Sequence, residues 1–282
     1  MQWVFGGRVI QTIIAAGGKQ DIYGGGAKDT LILAGRRQRV FRDGKAKRTT
    51  IRLGGKMTAD SGSTISGIDN SGLVKVRATD PVMNTIKNYT GHSGSVLKVD
   101  TLDTAHYPDH PTANYPAATL EGRTVLEAGA EVKLSGLTGT LTMRNEVCSR
   151  GGVIKINVAS NLLSGGLVII DGMVEGLVKI AITLSGAVMD IDEPTTVDDF
   201  LRPIYPLYPM IIGVRSGSGF GMGRRVGEDE QQDTDVVRRR PIVRFKPGDT
   251  ERAFFEFNNL PDNYFIEEEA NCYYLCFRNL KK

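Results

Sequence analysis

The sequence predicts an all-β chain wound as a solenoid of parallel β-coils, and three observations carry that prediction. Residues 2–56 are a tandem repeat of three units, Gln2–Lys19, Gln20–Arg37 and Gln38–Lys56. Each unit alternates aliphatic positions with glycine turns in half-units of about nine residues, enough for one short strand and one turn. Beyond residue 56 short apolar runs punctuated by glycine continue to residue 188, and no long helical periodicity interrupts them.

The repeat justifies its own elements. Each unit opens with Gln and places a branched aliphatic two residues later: Val4, Ile22, Val40. A turn follows at Gly6-Gly7, Gly24-Gly25-Gly26 or Asp43-Gly44. Next come a Thr and a second aliphatic (Thr12-Ile13, Thr30-Leu31, Thr50-Ile51), then a second turn at Gly17-Gly18, Gly35 or Gly54-Gly55. No unit can bury its apolar side alone, so stacking must close the core, with like residues above like at roughly 4.8 Å.

The third unit is basic. Nine Lys or Arg fall between Arg36 and Lys56 against one acid, Asp43. Arg36, Arg37, Arg39, Arg42, Lys45, Lys47 and Arg48 are expected to form a positive band that contacts an anionic surface, such as a glycan. A solvated outer face that discourages sheet aggregation would use the same residues. No series of aromatics interleaves to stack bases, so nucleic acid is not an expected partner. Gly24–Ile32 fits part of a calcium-binding nonapeptide through Gly24, Gly25, Asp29 and Leu31, but the neighbouring units offer Gln11, Lys47 and Arg48 there. Calcium needs several oxygen ligands, and no metal or other cofactor is expected.

Residues 57–104 keep strands such as Leu73–Val76 and Val96–Val99 between glycines. Residues 105–118 carry Pro108, Pro111 and Pro116 and read as a protruding loop. Its His106 and His110 would converge on a metal only from a helix, which the prolines oppose. Strands return strongly over 119–188, giving about ten coils and a rod near 50 Å if each takes about eighteen residues.

From residue 189 the composition changes. Residues 189–240 are expected to be a linker or extended arm, with an acidic cluster around Asp190 and Asp192 and an RPIYPLYP stretch bearing Tyr205 and Tyr208. The acids read best as a helix start capped by Thr196. Residues 241–282 read as an antiparallel meander that caps the solenoid or builds an oligomer, since Pro247-Gly248-Asp249 and Leu260–Asn263 supply turns. Tyr205, Tyr208, Phe254, Phe255, Tyr273 and Tyr274 are the candidate assembly contacts of a homo-oligomer.

Bulk properties set the outer bounds. The 282 residues carry a formal net charge of +3, which implies no global polyelectrolyte partner. Three cysteines, Cys148, Cys272 and Cys276, do not make a disulfide framework. No apolar run approaches a membrane span, and Met1-Gln2-Trp3 enters the first repeat without a leader-like segment. The acids of the strict repeats, Asp21, Asp29 and Asp43, are not in register, and no Ser-His-Asp or Cys-His set can be placed, so a non-catalytic chain is expected.

The Gln20/Ile22/Gly24-Gly25/Thr30-Leu31 and Gln38/Val40/Thr50-Ile51/Gly54-Gly55 series resembles the AIDA-type repeats of autotransporter adhesin passengers. The resemblance covers about a fifth of the chain. It implies a right-handed parallel β-helix at a bacterial surface, acting in adhesion or self-association. Two alternatives go with it: a phage or virion tail component, trimeric through the C-terminal meander, and a polysaccharide-acting enzyme on a β-helix.

Overall fold

The computed structural model describes residues 1–77, 84–100, 115–136, 139–159, 162, 165–185, 212–215, 235–245, 253–258, 260–269 and 272–278. The described residues are all-β. The strands are β1 (Gln2–Val4), β2 (Arg8–Ile10), β3 (Ile13–Ile14), β4 (Lys19–Ile22), β5 (Gly26–Ile32), β6 (Arg37–Val40) and β7 (Lys45–Ile51). They continue with β8 (Lys56–Asp60), β9 (Thr64–Asn70), β10 (Leu73–Arg77), β11 (Asn84–Gly91), β12 (Val96–Asp100), β13 (Tyr115–Leu126) and β14 (Glu131–Ser135). The last are β15 (Gly139–Ala159), β16 (Leu167–Ser185), β17 (Ile212–Arg215), β18 (Asp235–Phe245), β19 (Ala253–Asn258), β20 (Tyr264–Glu269) and β21 (Cys272–Arg278).

The chain is a parallel β-solenoid. From β1 to β13 each strand pairs in parallel not with its sequence neighbour but with a strand one coil away, as β4 does with β1 and β6. One row can be followed through ten levels: Gln2, Gln20, Gln38, Met57, Val74, Leu97, Val132, Ile154, Ile180 and Phe257. Nine steps of the inter-strand spacing make that row roughly 43 Å long.

Each coil has three sides where two half-units were expected. The second half-unit does not run straight: Asp29 in β5, Arg48 in β7, Gly67 in β9 and Asn88 in β11 all adopt positive φ, between 54° and 63°. Gln11, between β2 and β3, does the same at 54°. One left-handed residue per coil turns the strand through a corner without a loop, and Asn, Asp and Gly tolerate that conformation best. Arg48 does not, and its guanidinium instead grips the Asp29 carboxylate one coil away, Nη2 to Oδ2 at 2.7 Å.

The corner also corrects the repeat alignment. Thr30 pairs with Thr49, not Thr50, because the third unit carries one extra residue in its Asp43-Gly44 turn. The buried aliphatic row is therefore Ile14, Ile32 and Ile51, whereas Ile13 and Leu31 face outward with Thr50. Val4, Ile22 and Val40 are buried as the alternation predicts.

The lumen is mostly aliphatic, and a polar ladder of amides opens it. Gln38 Nε2 donates to Gln20 Oε1 and Gln20 Nε2 donates to Gln2 Oε1, each at 2.6 Å. Identical amides stacked one coil apart satisfy each other, which explains why each unit opens with Gln. The ladder stops where Met57 follows Gln38 in register, and Gln38 Oε1 is left buried without a partner. Outside, Phe5, Tyr23 and Phe41 stack at the same spacing, with ring centroids 5.1 and 4.0 Å apart. The first coil leaves Trp3, Phe5 and Ile13 60%, 71% and 64% exposed.

The C-terminal region contains the expected antiparallel strands, β20 and β21 with β18, but part of it continues the coils instead. Val243 in β18 pairs in parallel with Val168, and β19 pairs in parallel with the second half of β16, so both extend the solenoid. Among the described strands, antiparallel ladders join β17–β18, β18–β21 and β20–β21, and an isolated antiparallel bridge joins Val158 to Gly165. Parallel addition keeps Val243 and Phe257 on rows that are apolar in the preceding coils, a gain that turn signals alone do not reveal. Most of the expected arm, including Asp190 and Asp192, lies outside the described residues, as do His106 and His110.

Candidate functional site

The turns between successive coils stack as strictly as the strands. Ala15–Gly18, Leu33–Arg36 and Arg52–Gly55 lie one above another, tied by Gly35 N donating to Gly54 O at 2.8 Å and Lys56 N to Arg36 O at 2.9 Å. Because these turns carry glycine, no side chain stands over the backbone, and a shallow groove of about 350 Å³ opens along the solenoid axis. Gly17, Gly18, Gly35 and Gly54 form its floor, and Lys19, Arg36, Arg37 and Lys56 line it.

The cations along that groove are in register. Lys19 pairs with Arg37 and Arg37 with Lys56 across the first strands of three successive coils, so three positive groups rise at the coil spacing on one exposed row. None of Lys19, Arg36, Arg37 and Lys56 makes an ion pair among the described residues. Arg36 Nη1 donates only to its neighbour's carbonyl, Gly35 O, at 3.2 Å.

Several other outer charges are matched. Arg39 binds Asp60 at 2.8 Å and lies over the Phe41 ring. Lys75 reaches Asp100 at 2.6 Å, and Lys133 and Lys155 share Glu131 at 2.7 and 2.6 Å. Burial pushes the Glu131 carboxyl up, but hydrogen bonds from Lys133 and Lys155 outweigh it and hold the group below its ordinary value. The hydrogen bond from Arg48 likewise holds Asp29 low, which commits the one acid of the nonapeptide-like stretch to an ion pair. The groove is a row of uncompensated charge, and neighbouring like charges raise the potential there.

The basic candidates therefore divide. Arg36 and Arg37 are in the groove. Arg39 and Arg48 are held by carboxylates, as described. Arg42, Lys45 and Lys47 are exposed on other faces, with Lys45 in register with Gly26 and Lys47 with Lys28. Lys19 and Lys56 complete the groove and are absent from the sequence-based set. Their signal was present as the spacing of eighteen and nineteen residues about Arg37, hidden by reading the charges as a contiguous run.

The aromatic candidates are placed only in part. Tyr205 and Tyr208 lie outside the described residues, and Phe254 is placed by its backbone in β19, opposite Leu177. Phe255 and Tyr273 meet each other at 5.2 Å between centroids, and Tyr274 lies under the Arg239 guanidinium at 4.7 Å. Cys272 and Cys276 are buried free thiols and Cys148 is half-buried.

Fold and site together define a parallel β-solenoid with one basic, glycine-floored edge. No protein-family model matches the sequence, and no curated protein matches it. Among solved structures, the crystal structure of a TibC-catalysed hyper-glycosylated TibA fragment is similar at 18% identity and a TM-score of 0.32, covering 64% of this chain and 81% of that one.

Proposed function

We propose that this chain is a non-catalytic structural β-solenoid of a bacterial surface or extracellular assembly, and that it adheres to an anionic surface through the groove. The observation that supports this reading most is the in-register row Lys19, Arg37 and Lys56, three cations without carboxylate partners on a rigid ladder. A ladder of backbone hydrogen bonds fixes their spacing, so little ordering is left for binding to impose. Uncompensated charge in a glycine-lined trough favours contact with anions more than the stability of the fold itself, since adjacent like charges repel.

The test is binding of the full chain to a sulfated or carboxylated matrix at varied ionic strength. Lys19→Gln, Arg37→Gln and Lys56→Gln combined are expected to lower retention at least tenfold and to flatten its salt dependence, because the contact made by these exposed charges is the one that salt screens. Retention unchanged by the triple substitution would place the contact elsewhere.

A further inference from the structure

We infer that the groove seats one strand of a linear acidic polysaccharide lying along the solenoid axis, with one anionic group per sugar meeting one coil in turn. This deepens the reading above and rests on it. Three features of the groove select the ligand: its direction, its period and its floor.

The direction follows from register. Lys19, Arg37 and Lys56 occupy one row across three coils, so the charge runs along the axis rather than around it. A polyanion that wrapped around a coil would meet only one of the three. The row is also finite: Leu73 follows Lys56 in register, so the cations end after three coils. A segment of about three sugars would occupy the site.

The period follows from backbone pairing. Adjacent strands are about 4.8 Å apart, and the cations inherit that step. An extended pyranose advances its chain by a comparable length, so a polymer with an acid on every sugar brings its charges up in phase with the cations. A polymer with an acid on alternate sugars can engage only the outer pair. The phosphates of an extended single-stranded nucleic acid are spaced more widely than one coil, and the residues lining the groove include no ring on which a base could stack.

The floor follows from the glycines. At Gly35 a Cβ would point into open space, and φ there is +70°. The bare backbone lets the flat face of a sugar lie close against the turns, where a side chain would hold it off. A volume of about 350 Å³ suits a short stretch of chain and not a folded macromolecule.

The experiment titrates the full chain with polygalacturonate, which has an acid on every sugar, with hyaluronate, which has one on alternate sugars, with poly-dT, and with anionic phospholipid vesicles. Two variants accompany it. Gly35→Asn fills the groove without changing charge, and Asn accepts the left-handed backbone there. Arg37→Gln removes the central cation alone, and both variants are checked for an unchanged strand signal by circular dichroism. The expected result is polygalacturonate bound at least tenfold more tightly than hyaluronate at equal charge concentration. Gly35→Asn should weaken it at least tenfold while leaving vesicle attraction unaltered, and Arg37→Gln should reduce the preference between the two polymers. Polyanions and vesicles bound in order of charge density alone, with no effect of Gly35→Asn, would overturn the polysaccharide assignment and leave the anionic-surface reading standing. No binding to any polyanion would overturn both.

Discussion

Gly176→Ala is expected to destabilise the fold by about 4 kcal/mol, the sum of two costs that fall on one methyl group. Gly176 has φ of +88°, where a side chain strains the backbone by roughly 1–3 kcal/mol. The added Cβ would also lie 2.1 Å from the carbonyl oxygen of Ser149, its register partner in the previous coil. That oxygen belongs to the stacked backbone and cannot swing aside, so the coils must separate, at a further cost of roughly 1–3 kcal/mol. Gly35→Ala is the matched control. Its φ is +70° but no atom lies within 4 Å of the added Cβ, so it should lose only the conformational part, about 1–2 kcal/mol. Urea unfolding of the two variants checks this. Equal losses would mean that the coils are not packed as closely as the register implies.

The second large effect is alkaline. Asn70 occupies the inward row held by Ile51 one coil earlier, and Tyr89 the row held by Ile68. Asn70 Nδ2 donates to the Tyr89 hydroxyl oxygen at 2.9 Å, and Asn70 Oδ1 accepts from Gly72 N at 2.9 Å. The tyrosine is 1% exposed, and Gly91 leaves room for its ring, since a Cβ there would come within 3.1 Å of it. Burial pushes the phenol from 10.0 up to about 12, although the hydrogen bond from Asn70 pulls the other way.

The sign follows from which state ionises first. Below pH 10 the phenol is neutral in both folded and unfolded chains, and the stabilisation is fully present. Between about 10 and 12 the unfolded chain ionises while the folded one does not, so stability falls by roughly 2–3 kcal/mol across that window. Tyr89→Phe should remove this share of the loss, making the urea midpoint less steep above pH 10 than in the unsubstituted chain. Tyr264, Tyr273 and Tyr274 are also raised by burial, but they are common to both proteins and cancel in the comparison. Parallel curves above pH 10 would show that Tyr89 is not the buried group.

The pattern of Gln, aliphatic and glycine was enough to read the coil from the sequence, because those residues recur at the period of the backbone itself. Val4, Ile22 and Val40 needed only alternation to be placed inside. The corner was harder to see. Gln11, Asp29, Arg48 and Asn88 share a conformation but no side-chain chemistry, and a single left-handed residue leaves no compositional mark. For the same reason Ile13 and Leu31 seemed to belong inside, whereas the corner puts Ile14 and Ile32 there. The parallel pairing of β18 and β19 with β16 depends on distant partners, which a reading of local turns cannot supply. The groove lay between these cases. Its charges were evident as a run from Arg36 to Lys56, but Lys19 closes the first unit and joins only once the register is known. The Phe5, Tyr23 and Phe41 stack had a plain signal in its spacing and shows how strictly the outer surface also repeats.

The central claim is that successive coils stack in register, and distances along one outward row test it most directly. Ile13, Leu31, Thr50, Asp69, Thr90, Val125 and Cys148 share such a row. With Cys272 and Cys276 replaced by Ala, spin labels on Cys148 and on a new cysteine at position 50, 31 or 13 are separated by four, five and six steps. Pulsed electron resonance should give backbone separations of roughly 19, 24 and 29 Å, rising by one strand spacing per coil. Three distances that do not rise in equal steps would contradict the stacked coil.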